Sequence, residues 1–264
     1  MEAVDITDGE AVSRQMKRSR PEVVVHAAGM TDVDACEKDP PGAWAANAGG
    51  TRHVAAACAE VGAFLMAIST DYLFDGTAGR LYNEEDLPNP INVYGRSKQE
   101  GEQFALALAP QALVVRVSGL FGEGRANFVS AAIRQMRAGE PVPVVTDQVN
   151  SPSYTMDLAE GIVGLVERYR QDPTAAEPRG RLHRILHLAN TGSASRLEVA
   201  ERVAGCLGVF PALIRKTTWA ALNRPARRPP KSGLDCGRYA GLAGRPLRPW
   251  AEAVKAFVEV NPGV

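Results

Sequence analysis

An α/β architecture built on a doubly wound parallel sheet follows from three observations. Short, nearly continuous Val/Ile/Leu runs recur along the first half of the chain, a stretch of helical period follows each, and the pattern changes after residue 118. A strand covered on both faces needs such an uninterrupted apolar run, and parallel strands need a helix to carry the chain back. Right-handed crossovers then produce a Rossmann-like layer, with a smaller substrate-binding part beside it.

The elements follow in order. VVVHAAG (23–29) reads as a buried strand, AWAANAGGTRHVAAACAEVG (43–62) as a helix, and FLMAIST (64–70) as a second strand. NVYGRSKQEGEQFALALA (92–109) has helical period, and ALVVRVS (112–118) is a third strand. Beyond it, NFVSAAIRQMRAG (127–139) and TMDLAEGIVGLVERY (155–169) read as helices, and the Pro- and charge-rich RQDPTAAEPRGR (170–181) as a loop. HRILHLAN (183–190) returns as a strand, SRLEVAERVAGCLG (195–208) as a helix, and RPARRPPKSG (224–233) as irregular chain. The expected division is 1–118 with parts of 155–190 for a dinucleotide, and 119–154 with 191–264 for the substrate.

Bulk properties exclude several classes. The 264 residues carry 30 Lys+Arg against 30 Asp+Glu, so nothing electrostatic favours nucleic acid or an anionic membrane. No apolar run is long enough to span a bilayer, and Met1 is followed by Glu2 rather than a basic leader. The four scattered cysteines, Cys36, Cys58, Cys206 and Cys236, form no CxxC and read as reduced thiols of a cytoplasmic protein. His183 and His187 have HxxxH spacing, yet strand geometry sets them badly for one ion and no third ligand is evident, so no metal is expected. Trp44, Trp219 and Trp250 read as packing residues.

The chemistry gathers around Tyr94 and Lys98. Residues four apart on a helix share a face, so phenol and ammonium point into one cleft. A phenol titrating near ~10 is a poor acid–base at neutral pH, and a fixed ammonium beside it should lower that value. Ser69 and Thr70 end a strand in ISTDYLFDG (68–76), at the carboxyl edge where open α/β sheets bind ligands. Asn47, in AANAGGT, is a fourth candidate one helix earlier.

Taken together, STDYLFDG, YNEEDLPNPINVYGRSKQEGE, RPARRPPKSGLD and LRPWAEAV resemble the extended short-chain dehydrogenase/reductases, and among them the dTDP-4-dehydrorhamnose reductase family. The resemblance runs from VDITD (4–8) almost to the C-terminus. It implies NADPH- or NADH-dependent reduction of a 4-keto nucleotide sugar, with Tyr94 as proton donor, Lys98 tuning it and holding the nicotinamide ribose, Thr70 polarising the carbonyl, and Asn47 organising a relay water. It further implies adenine contacts at Asp5 and Ile6 and a cofactor lining of Ala27, Ala28, Gly29 and Thr31. For the sugar nucleotide it points to Asn127, Gln148, Tyr154, Arg227 and Arg228, with Lys231 in the same basic loop. Related dehydratases carry Thr-Asp-Glu at the strand end; here the run is Thr70-Asp71-Tyr72, which leaves plain ketone reduction.

Two departures stand out. The family's opening strand, GxxGxxG turn and helix are missing, and MEAVDITD corresponds to the third strand of such a sheet, so a fragment lacking the first βαβ unit is the favoured expectation, beside a sheet completed by a partner or a rearranged fold without dinucleotide binding. The glycine-rich GRYAGLAGRP (237–246) follows no strand and reads as a loop, not a substitute. In RVSGLFG (116–122), Gly119 stands where rhamnose-forming relatives usually place a tryptophan against the sugar. Two rival readings share these residues: a dinucleotide-binding regulatory subunit resembling that of methionine adenosyltransferase, and a nucleotide-sugar epimerase. A homodimer is the expected assembly.

Overall fold

The computed structural model describes residues 3–171, 184–209 and 211–261. Four parallel strands form its main sheet: β1 (Val23–His26), β2 (Phe64–Thr70), β3 (Ala112–Val117) and β4 (Ile185–His187), in that spatial order. Ser69, Arg116 and His187 lie in register across the last three. β2 is almost wholly buried, as its unbroken apolar run predicts. β1 pairs with β2 alone among the described residues, and Val25 on it is exposed.

The two sheet faces carry separate cores. Leu65, Ala67, Val114 and Ile185 pack under α2 (Gly50–Val61) and α3 (Val93–Leu108), against Val54, Cys58, Ala105 and Leu106. On the other face Phe64, Met66, Val115, Val117, Leu186 and Leu188 meet Leu158 and Leu165 of α5 (Thr155–Gln171). Before them come α1 (Gly9–Ser19), whose N-cap is the Asp8 carboxylate, and between them α4 (Phe128–Arg137). A third core joins α4 to α6 (Arg196–Leu207) and α7 (Trp250–Val260) through Ile133, Val203 and Phe257.

Four local readings change. Residues 3–8 form no strand, because the Asp5 carboxylate accepts from the Thr7 amide and hydroxyl and holds a turn there. The single helix expected over 43–62 is three pieces: Pro40–Trp44, a π-helical turn over Ala45–Gly49, and α2. A widened turn strains the backbone hydrogen-bond pattern, and the Thr51 hydroxyl donates to the Asn47 carbonyl at 2.6 Å. GRYAGLAGRP holds a short helix, Gly237–Ala243, stopped by left-handed Gly244 two residues before Pro246. Of the loop expected over 170–181, residues 170 and 171 finish α5 and the rest lie outside the described residues, as does His183.

α3 lies unusually close to its neighbours. A Cβ at Gly101 would stand 2.5 Å from the Asn47 carbonyl oxygen, so only glycine fits. Arg116 on β3, 2% exposed, reaches Glu102 of α3 in a two-armed ion pair at 2.9 and 2.8 Å, pinning helix to sheet. Gly101→Ala must therefore push α3 off the π turn. A loss of about 1–3 kcal/mol is expected for such overpacking, seen as a lower midpoint in thermal or urea unfolding; an unchanged midpoint would show that the contact yields freely.

Candidate functional site

β2 ends at Thr70 just where α3 begins its first turns. Asn92 caps α3, accepting from the Gly95 amide at 2.8 Å, while its own amide donates to the Arg227 carbonyl. That cap aims Tyr94 and Lys98 at the strand end. Thr70 and Tyr94 line one cleft wall, and the Tyr94 ring meets Tyr72 edge-on at 5.9 Å between centroids. Lys98 Nζ donates to the Ile68 carbonyl at 2.7 Å. The two sequence motifs are thus joined in space.

Thr70, Asp71, Tyr72 and Tyr94 line a cleft of about 480 Å³ together with Thr31, Asn127, Arg125 and Arg196. A larger cavity, about 620 Å³ between α5 and the 239–248 segment, shares none of these residues. Asp5 borders a separate cavity of about 500 Å³ with Arg14 and Arg18.

Burial controls the charges. It pushes the Tyr94 phenol above its ordinary range, with the Thr70 hydrogen bond opposing and Asp71 adding to the rise. The expected lowering by Lys98 is not seen in this state, because the ammonium is turned to Ile68. Burial brings Lys98 down to about 8, and the charge of Glu102 opposes that fall. The Asp71 carboxyl is pushed up to about 6 by burial, against hydrogen bonds from Ser232, Ser118 and Thr70. Ser232 Oγ donates to Asp71 at 2.5 Å.

Asn47 occupies a different place from a free relay group. Its Oδ1 accepts from the Met30 amide at 2.8 Å, and its Nδ2 donates to the Met30 carbonyl and to Ser97 Oγ. Both amide protons are spent, leaving one oxygen lone pair for a relay water. Its main work is to clamp the turn after β1, where Ala27, Ala28, Gly29 and Thr31 lie exposed at the sheet edge. Ile6 packs on Gly50, and its carbonyl meets His53 at 3.0 Å.

The substrate candidates divide. Asn127 lines the cleft but also caps α4, accepting from the Ser130 amide. Gln148 is buried behind Tyr72, donating to its hydroxyl at 3.0 Å. Tyr154 lies outside the cleft: its ring stacks on Phe121 and meets Phe257 in the third core. Arg227 and Lys231 are exposed away from it, and Arg228 is taken by Asp34 at 2.5 Å and by the Trp219 ring. Sequence reading missed Arg125 and Arg196, which no basic cluster or motif marks. Arg196 stands over Phe128 at 4.8 Å and Arg125 donates to Thr31. Neither pairs with a carboxylate among the described residues.

Gly119 has φ +57°, and a Cβ there would lie 2.9 Å from Asn150 Oδ1 and from the Ser151 carbonyl. A tryptophan does not fit this backbone. His187 is structural, its Nδ1 bonded to the Tyr82 carbonyl, and no metal-binding cluster occurs among the described residues.

The RmlD substrate binding domain model matches residues 1–261. The chain belongs to the RmlD family. It is 40% identical over 252 residues to a dTDP-4-dehydrorhamnose reductase of Streptomyces griseus, covering 95% of this chain and 81% of the relative. It is 35% identical to a dTDP-4-keto-6-deoxy-D-glucose reductase of Streptomyces niveus, covering 98% and 86%. The crystal structure of the Bacillus anthracis dTDP-4-dehydrorhamnose reductase in complex with NADP superposes with TM-score 0.86 at 34% identity, over 97% of this chain and 87% of that one.

Removing the Asn47 side chain leaves the Met30 amide and carbonyl without partners. Asn47→Ala is expected to lower stability by about 1–3 kcal/mol and to speed proteolysis within 27–31. A clamp of no consequence would leave both unchanged.

Proposed function

We propose that the chain reduces the 4-keto group of a dTDP-deoxysugar with NADPH or NADH, dTDP-4-dehydrorhamnose to dTDP-rhamnose being the first substrate to try. The observation that carries this reading is the hydroxyl pair of Thr70 and Tyr94 in the cleft wall, with Lys98 one turn further along α3. The names of the relatives and the NADP of the Bacillus anthracis structure support it. Residues 1–118 with parts of 155–190 would hold the dinucleotide, and 119–154 with 191–264 the sugar nucleotide. On this reading the enzyme acts in the cytoplasm, takes no nucleic acid, and works as a homodimer.

The residues at the edge of the sheet suit a dinucleotide. Ala27, Ala28 and Gly29 present little side chain there, and Lys98 spends one of its three donors on Ile68, leaving two for ribose hydroxyls. Bound at this edge, a reduced nicotinamide supplies the hydride. The protein's part is the proton. With its titration pushed upward, the Tyr94 phenol keeps its proton at neutral pH and can deliver it to the ketone oxygen as charge develops there. The Thr70 hydroxyl bonds the same oxygen and stabilises that charge. Tyr72 follows Asp71, so the strand end offers no glutamate for dehydration. Arg125 and Arg196, without carboxylate partners, suit a diphosphate.

Tyr94→Phe tests the proposal: turnover of dTDP-4-dehydrorhamnose should fall about 10²–10⁴-fold with the fold intact. Unaltered regulation of a partner enzyme by the variant would favour the regulatory-subunit reading. Substrate interconversion with no net NAD(P)H consumption would favour an epimerase. Arg196→Met should raise KM for the nucleotide sugar by about 10–100-fold with a smaller change in kcat, the loss of one or two charge-assisted hydrogen bonds. A change in kcat alone would place the diphosphate elsewhere.

A further inference from the structure

Ser69, Arg116 and His187 form one row across β2, β3 and β4. Residues paired in register on parallel strands point to the same face, here the face under α3. Each of the three is buried, and each has a polar atom without a protein partner: Ser69 Oγ, Arg116 Nη1 and His187 Nε2. Their chemistry is complementary. Because the Tyr82 carbonyl can only accept, His187 carries its proton on Nδ1 and turns Nε2 outward as an acceptor. Burial and the charge of Arg116 bring His187 down to about 3, so it is neutral and keeps that lone pair. Arg116 Nη1 is a donor and Ser69 Oγ is either.

The other two nitrogens of Arg116 hold Glu102, and Glu102 lies one turn after Lys98 on α3. Lys98 in turn donates to the carbonyl of Ile68, the residue before Ser69. The buried row, the ion pair and the reactive ammonium are therefore consecutive links. We propose that Glu102 and Arg116 are positioning residues of the reaction: Arg116, buried in register between Ser69 and His187, fixes the Glu102 carboxylate beside Lys98 and keeps that lysine an ammonium. The role of Lys98 rests on the reductase reading above.

Electrostatics supports the geometry. Dehydration of the site favours neutral Lys98, and Glu102 is the charge that opposes it. Besides Glu102, the titratable groups on the elements packed about α3 are Tyr94 one turn earlier on the same helix, His26 on β1, Asp71 after β2, and Arg116 on β3, which is held by Glu102. His26, brought down to about 4 by burial and by Lys98, adds no positive charge at neutral pH. A lysine whose titration is lowered in the folded state loses its proton as pH rises through about 8. Loss of Glu102 moves that event to lower pH, so the ammonium disappears sooner on the alkaline side.

The experiment follows Lys98 directly. The full chain, with its lysines labelled with ¹³C at Cε, is titrated by NMR, and the Lys98 signal is assigned with Lys98→Arg. Titration near 8 is expected, falling by about one unit in Glu102→Gln, where Arg116 also remains as an unopposed charge. Should that variant fail to fold, Glu102→Gln with Arg116→Met removes both buried charges. A smaller fall in the same direction is then expected. If the enzyme turns over its substrate, the alkaline limb of kcat shifts by the same amount. An unmoved Lys98 titration in whichever variant folds overturns the proposal, even where thermal stability drops. Absence of turnover in the wild type, with Lys98 shifting as expected, counts against the reductase reading alone.

Discussion

The site depends first on how closely α3 lies on the sheet. Lys98 can reach the Ile68 carbonyl at 2.7 Å only because Gly101 lets the helix touch the π turn at Asn47. Held at that distance, α3 brings Tyr94 to the end of β2, into the same cleft wall as Thr70. The ion pair between Arg116 and Glu102 acts in the same direction, and it is buried, so breaking either half leaves an uncompensated charge. Glycine makes the approach sterically possible, and the ion pair fixes its register.

A second constraint comes from the far end of the chain. The irregular 224–234 segment returns across the strand ends and is lashed there by polar bonds. Arg228 pairs with Asp34, the Arg227 carbonyl takes the amide of Asn92, and Ser232 donates to Asp71. The Val149 amide donates to the Pro230 carbonyl as well. Two of these bonds end on groups that shape the site: the cap of α3 and the carboxyl beside Thr70. The basic side chains that take part are those of Arg228 and Arg224, both on Asp34, whereas Arg227 contributes its backbone carbonyl.

These facts show which parts of the molecule the sequence could reveal. Period and apolar continuity are properties of single segments, so the strands at 23, 64, 112 and 185 and the helix carrying Tyr94 and Lys98 were legible. The meeting of Thr70 with Tyr94 was legible because each ends or begins an element. The π turn was not, since no composition distinguishes it from the helix around it; what accompanies it is the close approach of Gly101 on α3 to the Asn47 carbonyl. Arg125 and Arg196 were hidden for a similar reason. Each stands alone in the sequence, and what marks them is a place in the cleft wall with no ion pair among the described residues. Arg227 and Lys231 drew attention by clustering, yet clustering says nothing about which way a loop faces.

The cleft's own chemistry bears on which sugar it takes. Gly119 holds a left-handed backbone against Asn150 and Ser151, so an aromatic ring at this position would require the wall itself to move. The ring surfaces that do reach the cleft are those of Tyr72, Tyr94, Phe121 and Phe128, and the Phe128 ring is already covered by the guanidinium of Arg196. At Gly119 itself the cleft wall offers no aromatic face, and hydroxyl and guanidinium groups stand elsewhere along it. Contacts with such groups discriminate by the placement of oxygens rather than by the ring's apolar face, because a buried donor left unpaired costs more than a lost apolar contact. Relatives named for two different 4-keto sugars match this chain over 95% and 98% of its length, and Gly119 lies on the wall of the cleft.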